Sequence, residues 1–321
     1  MIETNTQSVG NFAIEVIGPV VLLIAFGYFL YKRKVITDSF VNDASSLIFY
    51  YALPTLLFVN ISSADLSTLL DIKSIAIGTS ATLIVFIISI IFASSFVNEK
   101  ENKGVLTQGI FRANMGVIGL AFCAKAYGSE GLAQAAIYMG CLTIVYNALS
   151  VFVLNLYHEK STNVLSILLN IATNPIILGT VMGLLFAFFK IPMPGIAETT
   201  LGYFSQITLP LALICSGAAL RFSALGELWK LVSIGVIGKC VIYPTVAVTL
   251  AISFNVDGVM LGILYLMSMS PTAAASYIMV KKIGGNHLLA AQLIAISTIV
   301  SLPMTIVGFY LLSKMADLSL Y

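Results

Sequence analysis

Two short stretches hold the residues best placed to do chemistry. One reads FRANMGVIGLAF, residues 111–122, and sets Arg112, Asn114, Gly116 and Gly119 in an apolar run. The other reads SMSPTAAASY, residues 268–277, and sets Ser270, Pro271, Thr272 and Ser276 in another. Proline has no backbone donor and its ring clashes with the carbonyl one turn back, so Pro271 breaks a helix. Glycine weakens one. The second half of a broken helix offers unpaired N–H groups and roughly +0.5 charge at its start. Two such starts at one place favour an anion such as a carboxylate. Asn114, Ser270 and Thr272 are suited to cap the breaks or to touch the ligand. A proline kink packed by its neighbours is the simpler alternative, and it leaves the second polar patch unexplained.

Arg112 adds a charge whose cost at a bilayer centre is about 2.5–3.5 kcal/mol on insertion scales, so it should face a polar cavity. It could contact an anion, snorkel, or hold backbone carbonyls at the break. Lys239, in GVIGKCVIYP, could neutralise substrate, bind carbonyls of a broken helix, or stand in for a cation; the structural role leads. Tyr146 and Asn147, in TIVYNAL, are further binding candidates, while Asn60, Asn174 and Gln206 read as helix–helix hydrogen bonders. The carboxylates sit at span ends or in loops, with Glu15 and Asp43 nearest to membrane depth. That speaks against a cation-antiport relay. Proton coupling would have to use Asp43, Glu15, a lysine or the substrate itself. There is no HExxH, no paired intramembrane aspartate and no mid-membrane histidine beside a serine, so no hydrolase is expected. The four cysteines lack metal or redox spacing, so no metal or cofactor is expected.

These residues need elements to position them. The 321 residues are 59% hydrophobic and 9% charged, against about 25% charged in soluble domains. The chain is therefore read as an integral membrane protein. A net charge of +2 with no basic cluster points away from nucleic acid. Spans are expected near 12–31, 40–62, 72–97, 104–126, 130–155, 166–189, 199–220, 229–253, 258–280 and 287–312. Runs of this length mean helices. Lys32, Arg33, Lys34, Lys100, Lys103, Lys160, Arg221, Lys230, Lys281 and Lys282 then fall on one side; Lys73, Lys125, Lys190 and Lys314 fall on the other. The positive-inside bias puts both termini on the extracytoplasmic side of the cell (inner or plasma) membrane.

An offset of 156 residues lays Pro19 on Pro175, Pro54 on Pro210, Gly27 on Gly183, Gly128 on Gly284 and Leu132 on Leu288. It predicts two five-helix repeats, 1–160 and 161–321. An odd span count inverts the second, as in many secondary transporters. The same offset carries Pro271 to Met115, so spans four and nine are both expected to be interrupted near mid-membrane.

The order and spacing of FGYFLYKRKVITDSFVNDASSLIFYYALPTLLF, NPIILGTVMGLLF, SGAAL, GKCVIYP and SPTAAASYIMVKKIGG resemble auxin efflux carrier family permeases over essentially the whole chain. The family includes PIN-type auxin carriers and bacterial malate permeases. The resemblance implies a ten-helix all-α fold like those of bile-acid symporters and sodium/proton antiporters, with broken spans four and nine crossed. It implies a scaffold of spans one, two, six and seven that commonly dimerises, and a transport domain of spans three to five and eight to ten. It implies elevator-like carriage of a small organic anion, with malate leading and an auxin-like aromatic acid or an anion channel as alternatives. Binding residues carry over to Asn114, Pro271 and Tyr146. Where the family often has a proline after the span-four break, this chain reads Gly119-Leu120-Ala121, so the break is expected to rest on Asn114, Gly116 and Gly119. Where plant relatives often carry a second proline in span nine, it has Ser276.

Overall fold

The computed structural model describes residues 12–63, 71–158, 173–220 and 225–314. Its elements are α1 (Phe12–Lys32), α2 (Asp38–Ser62), α3 (Ile72–Phe96), α4 (Lys100–Phe111), α5 (115–127), α6 (129–158), α7 (Pro175–Phe189), α8 (Gly195–Ala218), α9 (225–253), α10 (Gly258–Met269), α11 (Ala275–Ile283) and α12 (His287–Ser313). Among the described residues, seven continuous helical stretches are long and apolar enough to cross a membrane, the run through α5 and α6 counting as one; α7 and α10 are shorter apolar helices. The protein is a polytopic helical membrane protein. The expected start of span six, and Lys160 and Arg221, lie outside the described residues.

The helix starts follow local chemistry. Thr37 caps α2 by accepting from the Phe40 N–H, Asp71 caps α3 from Ser74, and Asn286 caps α12 from Leu288 and Leu289. Asn174 caps α7 with Pro175 in its first turn, where a missing N–H costs nothing. Asn174 is thus a cap rather than an interhelical bonder, and Asn60 bonds within its own helix, to the Leu56 carbonyl. Large apolar residues such as Ile14, Leu22, Phe188 and Ile196 face outward, as lipid contact requires.

Small residues set which helices touch. A Cβ on Gly27 would strike the Ile214 backbone and one on Gly217 the Ile24 backbone, so α1 and α8 pack backbone to backbone. Gly179 and Gly183 do the same for α7 against Pro54, Phe58 and Ile61 of α2. Close helix contact through small residues is the usual packing device in lipid. Thr208 of α8 donates to the Ala52 carbonyl of α2 at 3.0 Å, between positions 156 apart. Gly128, which separates α5 from α6, and Gly284, which ends α11, both have positive φ (61° and 133°).

The runs expected as spans four and nine are both interrupted. α4 and α10 are each 12 residues long, or ~18 Å. Span four starts at Lys100 rather than 104, which brings its break to the depth of the other. The break falls at Arg112–Asn114, at the expected Asn114 but ahead of Gly116 and Gly119, and in space Pro271 pairs with Asn114. The stretch from Phe111 to Gly128 is two residues longer than that from Met269 to Gly284. A π turn at Met115–Gly119 takes up part of the excess.

Candidate functional site

The two breaks meet. Ala113 and Thr272 form an isolated antiparallel bridge. The Asn114 N–H donates to the Pro271 carbonyl at 2.7 Å, and the Ala273 N–H donates to the Arg112 carbonyl at 3.0 Å. Backbone groups released by one break are satisfied by the other, which is what permits non-helical backbone at this depth. Thr272 locks the crossing: its Oγ1 donates to the Gly109 carbonyl at 2.7 Å and its N–H donates to Ser297 Oγ of α12 at 3.0 Å. The Ser270 hydroxyl turns back to the Leu266 carbonyl at 3.0 Å. A Cβ on Gly119 would crowd Met267 Sδ and Ser270 Oγ, so glycine is what lets α5 approach α10.

Both first halves end at the crossing, with a buried cation beside each: Arg112 follows α4 in the chain and bonds to α6, and Lys239 bonds to a carbonyl of α10. The Arg112 guanidinium donates to Ser150 Oγ at 2.9 Å, Asn147 Oδ1 at 2.9 Å and the Tyr146 carbonyl at 3.3 Å, all on α6; its Nε has no partner. Lys239 is fully buried in a π turn of α9, with Nζ 3.3 Å from the Ser268 carbonyl and 4.2 Å from the Tyr243 ring centroid. Cations belong at helix C-termini, where the dipole is negative.

Both second halves begin at the crossing with no acidic partner among the described residues. Asn114 precedes α5, and the first π-turn bond runs from the Gly119 N–H to the Asn114 carbonyl. The amides of Met115, Gly116 and Val117 therefore precede the ladder. The Asn114 side chain is nine-tenths buried and has no hydrogen-bond partner among the described residues. Gly116 is half-buried and faces Leu53 of α2 and Met139 of α6. In α11 the first bonds run from Ser276 and Tyr277 to Ala273 and Ala274, and Ala274 is exposed.

Tyr146 and Asn147 come to the site through Arg112 rather than through open space. The Tyr146 hydroxyl points to Tyr243 at 2.6 Å, and Tyr243 lies 3.0 Å from Thr82 of α3. Thr82 spends its proton on the Gly78 carbonyl, so the chain donates from Tyr146 to Tyr243 to Thr82. Sequence reading passed over Ser150, Ser297, Tyr243 and Thr82. Two had a signal: Ser150 shares a helix face with Tyr146 and Asn147, and Tyr243 lies one turn after Lys239.

Long apolar helices organised around two mutually satisfied breaks define a membrane transporter. A family model described as membrane transport protein matches residues 12–309, and the chain belongs to that family, the auxin efflux carrier family its motifs resemble. Among its relatives, an uncharacterized transporter of Methanothermobacter thermautotrophicus is 25% identical over 65% of this chain and 68% of its own. One of Methanocaldococcus jannaschii is 24% identical over 83% and 87%. The uncharacterized transporter YfdV of Escherichia coli is 23% identical over 63% and 67%.

Proposed function

We propose that this protein is a secondary carrier of a small organic anion, a carboxylate, with malate as the first substrate to try. The observation that carries this reading is the charge pattern at the crossing. Arg112, the residue that follows α4, turns its guanidinium to α6, and Lys239 takes a carbonyl at the end of α10, while the first amides of both second halves and the Asn114 side chain have no partner among the described residues. Two N-termini of roughly +0.5 each suit one carboxylate group. Asn114, the Gly116 amide region and the Ala274–Ala275 amides would touch the ligand. Ser270, Pro271 and Thr272 hold the break, and Tyr146 and Asn147 orient Arg112.

The architecture behind this reading is ten spans in two inverted five-helix repeats. Reciprocal packing supports it: the 156-residue offset turns the α1–α8 contact into the α7–α2 contact, and pairs Gly128 with Gly284. Helices α1, α2, α7 and α8 would form a scaffold that pairs two copies, and the remainder an elevator-like transport domain. The protein would sit in the cell membrane among its lipids with both termini outside. Cysteines replacing Arg33 and Pro192, both exposed, should label from the cytoplasm and from outside respectively.

The functional test is counterflow in proteoliposomes preloaded with unlabelled malate, with and without a pH gradient. Saturable uptake of labelled malate supports the reading, and a pH effect would add proton coupling. Counterflow with indole carboxylates but not malate would favour the aromatic-acid alternative. Non-saturable flux without counterflow would indicate an anion channel.

A further inference from the structure

Three successive carbonyls at the end of α10 lose their helical donors, each for an identifiable reason. Pro271 has no N–H for Met267. The Thr272 N–H goes to Ser297 Oγ instead of Ser268, and the Ala273 N–H goes to the Arg112 carbonyl instead of Met269. Unwound carbonyls at a half-helix C-terminus are the setting in which transporters coordinate a mobile cation. Here the Ser268 carbonyl receives Lys239 Nζ at 3.3 Å. The Tyr243 ring forms the other wall at 4.2 Å, and Tyr243 is itself pinned by Tyr146 and Thr82. A carbonyl and a ring face together make a cation site. Lys239 is fully buried and makes no ion pair among the described residues, so the amine answers to the carbonyl and the ring alone.

We propose that Lys239 is a tethered cation that occupies the place a mobile coupling cation would take, and that a small alkylammonium ion can replace its amine. The proposal rests on the anion-carrier reading for its effect on transport, but the cation site itself can be tested without substrate. In Lys239→Ala, transport should fall at least tenfold and recover to a third of wild type or more with ethylammonium or propylammonium. Tetramethylammonium, too bulky for the space of one amine, should not restore it. In Lys239→Met the side chain fills the space without the charge, so the same loss should appear with no rescue.

The substrate-free arm is thermal unfolding of the purified protein with increasing ethylammonium chloride, with sodium chloride as the ionic-strength control. Lys239→Ala should show a saturable rise in Tm, because a ligand bound only by the folded state stabilises it. Wild type and Lys239→Met should not. If this rise appears while wild type carries no anion tested, the cation site stands and the carrier reading fails. Wild-type transport by Lys239→Met, or a folded Lys239→Ala with neither rescue nor Tm rise, overturns the proposal. Should Lys239→Ala fail to fold, Lys239→Gln keeps a donor without charge. A tenfold or larger rise in apparent KM then supports the tethered cation, and an unchanged KM overturns it.

Discussion

The two breaks solve one electrostatic problem in two ways. At the span-four break the cation is Arg112, the first residue past the helix, and α6 holds it through Asn147, Ser150 and the Tyr146 carbonyl. At the span-nine break the cation comes from another span, as Lys239 of α9 reaching the Ser268 carbonyl. The first break has no proline and the second has Pro271. A helix therefore need not contain proline to stop inside an apolar run. It stops where its next donors and acceptors are claimed from elsewhere, and here each break claims those of the other.

Arg112 is the larger loss of the two cations. Arg112→Met removes three buried donors' worth of bonding and leaves Asn147 Oδ1, Ser150 Oγ and the Tyr146 carbonyl to find other partners. Each unsatisfied group costs about 1–3 kcal/mol. Transport should fall at least 100-fold, and Tm should drop by several degrees in the purified protein. Arg112→Lys should recover part of both, since it restores charge at the helix end but not the fork of donors. A fully active, fully stable Arg112→Met would show that this break needs no cation.

Asn114 separates binding from structure. Its side chain makes no hydrogen bond among the described residues, so Asn114→Ala should leave Tm nearly unchanged. Apparent substrate affinity should fall about tenfold, near 1.4 kcal/mol. A lowered Tm with unchanged KM would move Asn114 from the ligand to the scaffold of the break.

Much of this fold is legible in the chain because lipid imposes long apolar runs, and because Pro271 and Arg112 are conspicuous inside them. The position of the span-four break is legible only through Asn114. Gly116 and Gly119 look like the weak point, yet the helix ends at Phe111, where the other chain segment takes the next backbone groups. That is a tertiary event with no local signature. The partners of Arg112 were half legible: Tyr146 and Asn147 stood out as polar residues in an apolar run, while Ser150 looked like an ordinary small packing residue. Lys239 stood out at once, but its carbonyl partner depends on how α9 crosses α10.

Thr272 tests how much the crossing depends on one side chain. Thr272→Val keeps the shape and removes the 2.7 Å bond to the Gly109 carbonyl. A buried carbonyl loses its donor, so stability should fall by about 1–2 kcal/mol. The rate of transport should fall a few-fold with KM little changed, because the amides proposed to bind the ligand remain. A large KM effect would place the Thr272 hydroxyl in the binding site.

Pro271 should matter least, against its prominence in the sequence. In Pro271→Ala the new N–H can reach the Met267 carbonyl and add one turn bond. The next two donors stay engaged, Thr272 with Ser297 and Ala273 with Arg112. The Pro271 carbonyl is unchanged in kind and still accepts from Asn114. The break should therefore persist, with transport within about threefold of wild type and a stability change below about 1 kcal/mol, the unfolded chain's added freedom offsetting the added bond. Collapse of transport in a folded Pro271→Ala would mean that span nine is held open by its own ring. The two breaks would then differ in cause and not only in where their cations come from.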